Sequence, residues 1–139
     1  MTSPIHFDIA DAGNLIQKVC HTASARAGWW VDIKNGMNLR DEVIIGTRLG
    51  KALVAEKLAL IHSEISEAME GHRKGLADDK LPHRRAIEVE LADAVIRIAD
   101  LAGALDLDLG GAIAEKMAYN ANREDHKLEN RAAAGGKAY

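Results

Sequence analysis

Residues 51–74 read KALVAEKLALIHSEISEAMEGHRK, and residues 82–105 read PHRRAIEVELADAVIRIADLAGAL. Neither stretch alternates polar and apolar residues as a half-buried strand does; both repeat apolar residues at intervals of three and four, which predicts helices. On a wheel of about 100° per residue, Leu53, Leu60, Ala68, Ile61, Val54, Ile65 and Leu58 share one arc of the first stretch. Glu64 falls inside that arc and Glu67 at its edge, whereas Ser63, Ser66 and Glu70 fall opposite. A carboxylate on an apolar face is costly unless something pairs with it. The second stretch repeats the anomaly. Glu90, Asp93, Arg97 and Asp100 crowd one narrow stripe, and Ile87, Leu91, Ala94, Ile98, Leu101 and Leu105 lie across from it. That predicts a helix buried on most of its circumference, with a single acidic stripe.

Outward from this pair, Asp8–Ala27 carries Ile9, Leu15, Ile16, Val19 and Ala23 at helical spacing and stops at Gly28, before Trp29-Trp30. Residues 31–50, broken by Gly36, Gly46 and Gly50, predict a loop with one helical turn. Gly75 is a C-terminal cap behind Arg73 and Lys74. Residues 76–81 form a polar linker, and Pro82 suits the first turn of the next helix. Asp108 is an N-cap for a last helix running to about Arg131. Residues 132–139 form a frayed tail. The sum is an all-α, four-helix bundle in a single domain spanning residues 1–139, with its core at about 8–131.

Ala and Leu dominate the apolar residues and aromatics make up 4%, a balance that favours helix over strand. A net charge of −3 lacks the basic footprint of a nucleic-acid binder. Cys20 is the single cysteine, so no internal disulfide or cysteine-rich metal site is expected, and its reading is a small core residue in a reducing compartment. Met1–Asp8 has neither a basic nor an apolar leader-like region, and no run of about 18 apolar residues occurs. The expectation is a cytoplasmic protein without a membrane span. The six histidines, His6, His21, His62, His72, His83 and His126, show no metal-ligand spacing.

Two carboxylate pairs on facing helices suit one chemistry. Mg2+ is a hard ion that takes carboxylate oxygens and water, and ions so held neutralise polyphosphate charge and acidify a bound water. A spare carboxylate then accepts the proton. Lys116, Asn120, Arg123 and Lys127 share one face of the last helix, where cations and an amide suit phosphate.

The run Glu64-Ile65-Ser66-Glu67-Ala68, followed by Glu90-Leu91-Ala92-Asp93, resembles the paired E-x-x-E and E-x-x-D signature of MazG-like nucleoside triphosphate pyrophosphohydrolases. Lys116, Asn120 and Arg123 resemble that family's K…N..R segment. The resemblance covers about residues 51–125. Each motif alone is weak; their order, spacing and buried-face placement give the match its specificity. The resemblance implies an all-helical fold completed by dimerisation or tetramerisation. It implies hydrolysis of a (deoxy)nucleoside triphosphate to the monophosphate and pyrophosphate, as in nucleotide-pool house-cleaning. Glu64, Glu67, Glu90 and Asp93 would be the catalytic metal ligands for Mg2+, with Mn2+ as a substitute. Lys116, Asn120 and Arg123 would contact phosphate, and Trp29 or Trp30 would hold the base, although the link from Trp30 to the acidic helix is long.

Other readings stay open at this point. A dUTPase-like or phosphoribosyl-ATP pyrophosphatase-like enzyme would carry the same acidic cluster. A non-catalytic helical binding protein would share the architecture. A di-iron bundle needs Glu-x-x-His motifs, which are lacking. Arg97 reads as an ion-pair partner of Asp93, and Asp100 either as a fifth carboxylate near the metal or as a pairing partner.

Overall fold

The computed structural model describes residues 8–139. His6 and the leader-region expectation for the first seven residues lie outside that range. The fold is all-helical: α1 (Ile9–Arg26), α2 (Leu39–Ile45), α3 (Arg48–Lys74), α4 (Ala86–Ala104), α5 (Leu109–Ala121) and α6 (Leu128–Ala132), with a short 3-10 turn at Glu124–His126. Two isolated β-bridges, Val31 with Asn38 and Ala77 with Arg85, are the only extended pairings among the described residues. No helix among them is long and apolar enough to cross a membrane. The chain divides into two compact units. Leu15–Leu107 forms one; the described residues up to Asn14, together with Asp108–Tyr139, form the other.

In the larger unit α3 and α4 pack along their lengths through small residues. A Cβ added to Gly71 would lie 2.8 Å from the Ala86 Cβ, so glycine is what lets the two backbones close here. Ala68 and Ala94 are buried in the same unit. Gly75, at φ 61°, ends α3 with its N–H on the Gly71 and His72 carbonyls, as the sequence predicts.

Residues 31–50 hold more helix than expected. Asn38 caps α2 by accepting from the Arg40 and Asp41 amides, Gly46 ends it in the left-handed region, and the Thr47 hydroxyl accepts from Gly50 N–H to start α3. The two helices meet so closely at this corner that a Cβ on Gly50 would stand 2.0 Å from the Glu42 carbonyl oxygen. Backbone cannot yield as a side chain does. Gly50→Ala is therefore expected to cost about 1–3 kcal/mol, read as a lower urea midpoint with an unchanged slope.

Two expected boundaries move. The third helix begins at Ala86 and not at Pro82, because residues 76–85 close on themselves. Asp78 N–H donates to the Arg84 carbonyl and Ala86 N–H to the Leu76 carbonyl. The buried Asp78 carboxylate accepts from the Lys80 and Leu81 amides at 2.9 and 2.6 Å. The helix expected to run from Asp108 to about Arg131 ends at Ala121, where Asn122 turns its side chain onto the Ala118 carbonyl.

The core of the larger unit is thin. Its buried apolar residues larger than alanine are Trp30, Val43 and Leu101. The expected burial of α4 around most of its circumference is not what the structure has. Leu91, Val95 and Ile98, spaced along one stripe, are 46, 49 and 40% exposed. On α3, Leu58, Ile65 and Met69 form a similar exposed stripe. The wheel places Leu58, Ile65, Leu91 and Ile98 on apolar arcs but does not show whether a neighbour stands opposite them.

In the smaller unit Asp108 caps α5, as expected, accepting from Gly111 N–H and from the Asn14 amide at 2.9 Å each. These donors hold its carboxyl below the usual range.

Candidate functional site

The α3–α4 packing brings three carboxylates together. Glu64 from α3 and Glu90 and Asp93 from α4 each offer an oxygen, and these oxygens lie within 4.8 Å of one another. Glu64 is buried at 6% exposure, and the other two are half-buried. Three like charges at this spacing raise one another's proton affinity. Glu90 is pushed up to about 7, first by desolvation, then by its hydrogen bond to Glu64 and the nearby charges of Glu67, Glu64 and Asp93. Two carboxyls can hydrogen-bond only if one carries a proton. Asp93 is raised by desolvation and by Glu64, partly opposed by Arg97, with Asp78 adding to the rise.

The donor set is all oxygen, the preference of Mg2+ and Mn2+ rather than of softer metals. A cation between α3 and α4 would offset both the desolvation and the neighbouring carboxylate charges that raise Glu90. Glu67 stands outside the trio, exposed on α3, and acts on Glu90 through its charge.

Arg97 does not pair one turn back with Asp93. It reaches across to α3, where Nε donates to Glu64 Oε1 at 2.5 Å. This pairing fixes the one carboxylate of the trio that has little contact with water. A helical wheel sees only its own helix, so the interhelical partner was hidden from it.

Asp100 lies outside the trio and is a pairing partner. Its Oδ1 accepts from the Trp30 indole N–H at 2.9 Å and from His21 Nδ1 at 2.8 Å; its Oδ2 accepts from the Ser24 hydroxyl at 2.9 Å. Gly103, one turn on, lets α1 approach, since a Cβ there would stand 2.4 Å from His21 Cβ.

The two tryptophans separate. Gly28, at φ 84°, turns the chain out of α1. Trp30 is 3% exposed, packed in the core with the Lys57 ammonium 4.8 Å from its ring centre. A base has no access to that ring. Trp29 is 68% exposed and lines a cavity of about 690 Å³ between α1, α3 and α4. Asp93 and Arg97 stand on the wall of the same cavity, so it adjoins the carboxylate trio. Cys20 also lines it rather than filling the core, its thiol pushed up by burial and by the Asp100 charge.

Lys116, Asn120 and Arg123 belong to the smaller unit. The continuous cationic face expected there is broken by the end of α5. Lys116 and Asn120 remain on that helix, the lysine with its ammonium 4.7 Å from the Tyr119 ring centre. Asn120 Oδ1 is buried without a hydrogen-bond partner among the described residues. Arg123, beyond the helix, makes a two-point ion pair with Asp125 at 2.9 and 2.6 Å, and Lys127 pairs with Glu124.

Two contributors escaped sequence reading. Asp78, buried in the loop before α4, acts on Asp93 through its charge. Glu56, two turns before Glu64, stands on the cavity wall. An Asp-Asp-Lys run reads as a solvated loop, and a glutamate on an exposed helical face carries no signal of its own.

No family model, curated protein or solved structure matches this chain.

Proposed function

We propose that this chain is an all-α nucleoside triphosphate pyrophosphohydrolase of the MazG-like kind, acting with Mg2+ and with Mn2+ as a substitute. The observation that carries the reading is the trio Glu64, Glu90 and Asp93. Its three oxygens are drawn from two facing helices, and Asp93 among them lines a cavity with an exposed tryptophan. Bound to the trio, Mg2+ would neutralise triphosphate charge and acidify a coordinated water. Arg97 keeps Glu64 oriented. Glu67, outside the trio but within electrostatic reach of it, is the spare carboxylate that takes the proton of the attacking water. Trp29 offers its face to a base. The assignment of Lys116, Asn120 and Arg123 to phosphate rests on the sequence pattern alone.

The test is a panel of ribo- and deoxyribonucleoside triphosphates, incubated with and without Mg2+, the products resolved as monophosphate plus pyrophosphate or diphosphate plus phosphate. Mg2+-dependent pyrophosphate release that Glu67→Gln loses supports the reading. Absence of pyrophosphate from every nucleotide removes it.

The reading includes a second copy of the chain. The exposed stripes Leu58–Ile65–Met69 and Leu91–Val95–Ile98 lie on the sides of α3 and α4 turned away from the carboxylates. Their residues are 40–62% exposed, apolar surface of the kind that a partner covers in a stable interface. A thin core needs its cover whenever the chain is folded, and another copy is the partner always present at matching concentration. A dimer or tetramer is expected by light scattering at micromolar concentration. Val95→Glu is expected to shift the mass towards the monomer, and a monomeric parent chain removes this part of the reading.

A further inference from the structure

The cavity beside the trio has a chemical character that selects among bases. Its wall carries three carboxylates, Asp93, Asp100 and Glu56. Asp100 is saturated by Trp30, His21 and Ser24, Arg97 is tied to Glu64, and Lys57 lies over the Trp30 ring. Asp93 belongs to the trio. The third is Glu56, exposed on α3, whose carboxylate makes no hydrogen bond or ion pair among the described residues and stands on the wall with Trp29, Leu60 and Ile96. Glu56 precedes Glu64 on α3 by eight residues, about 12 Å along the axis. That is the reach of a nucleotide from a metal-bound phosphate to the far edge of its base. A cavity of about 690 Å³ accommodates such a group.

We infer that Glu56 is the specificity-determining residue of this cavity and that the occupant is a guanine nucleotide. The inference rests on the nucleotide reading proposed above. A carboxylate is an acceptor with two oxygens and no donor. It therefore favours an edge with two adjacent N–H groups, which guanine presents at its ring N1–H and exocyclic amine. Adenine and cytosine set their amine beside a ring nitrogen lone pair. Uracil and thymine flank their single N–H with two carbonyl oxygens. Each of these pairs leaves one carboxylate oxygen facing a lone pair, and a polar mismatch of that kind disfavours the wrong ligand to the extent that the bound base excludes water. Trp29 supplies stacking that every base shares, so it adds affinity and not choice.

Two measurements test this together. Calorimetry with GMP, AMP, CMP and UMP in Mg2+ reads the cavity without any hydrolysis, and kcat/KM for the four triphosphates reads the reaction. GMP is expected to bind at least about tenfold tighter than each of the others, the discrimination of one good bidentate pair. In Glu56→Gln that ratio is expected to fall below about threefold, and Trp29→Ala to weaken all four monophosphates alike. The melting temperature of each variant confirms its folding. Equal binding of the four bases, or a guanine preference that survives Glu56→Gln, overturns the inference. Guanine discrimination with no triphosphate cleaved keeps the cavity assignment and removes the reaction. Cleavage without guanine preference keeps the reaction and removes the assignment.

Discussion

Glu90→Gln is expected to lower nucleotide hydrolysis by about a hundredfold or more while making the metal-free protein more stable at pH 8. The loss follows from removing one of three oxygens that would hold the ion, whose electrostatic contribution to such a transition state is several kcal/mol. The gain follows from the crowding at the α3–α4 junction. Glu90 titrates at about 7 in the folded chain against an ordinary 4.5. Between those values the folded state holds a proton that the unfolded state has lost. The stabilisation is therefore complete below about pH 4.5 and disappears as pH rises through 7. Metal-free parent protein should melt at progressively lower temperature from pH 5 to pH 8, and the glutamine variant should show a flatter profile that crosses above it. Mg2+ should raise the melting temperature of the parent by binding the folded state alone, and raise that of the variant much less. A variant with parental activity, or a parent whose melting is indifferent to Mg2+, would remove the trio as a metal site.

The second large effect concerns stability and not chemistry. Asp100→Ala is expected to destabilise the fold by about 3 kcal/mol or more, with partial or complete loss of soluble protein. The substitution strips acceptors from three donors at once: the Trp30 indole, His21 and the Ser24 hydroxyl. The Trp30 indole N–H, left buried and unpaired, costs about 1–3 kcal/mol; the part-buried His21 and Ser24 add less, and Trp30 is the largest side chain in the core. Asp100→Asn should cost less, because one oxygen can still accept from the indole. Denaturant titration separates the two variants. Equal, small changes in both would mean that the network contributes little.

The extent to which residues announce these roles differs from place to place. Gly75 and Asp108 were legible as caps because capping is a local affair of backbone conformation and a side-chain acceptor. The grouping of Glu64, Glu90 and Asp93 was legible because a charge on an apolar arc breaks a periodic pattern. Glu67, at the edge of that arc, is correspondingly at the edge of the cluster. What failed was anything settled by a neighbour distant in sequence. α2, seven residues long, is too short to establish a period, although Asn38 and Gly46 flank it with the usual cap residues. Pro82 suggested a helix start, but the pairing of Ala77 with Arg85 holds that segment in a turn until Ala86. Arg97 looked bound to Asp93 by proximity along the helix, and the nearer carboxylate lay on α3. Leu91 and Ile98 looked like core, yet they stand 46 and 40% exposed among the described residues.

The separation of Trp29 from Trp30 has a spectroscopic consequence. These are the only two tryptophans in the chain, and they sit in opposite surroundings. Trp30 should emit at the blue side of the band, shielded from iodide and acrylamide, and shift to the red only when the core opens. Trp29 should emit at longer wavelength and be quenched by both agents, and a stacked aromatic ligand should take its place as the quencher. The protein thus carries two adjacent chromophores, one reporting on integrity and the other on occupancy, that a single fluorescence experiment can read without any label.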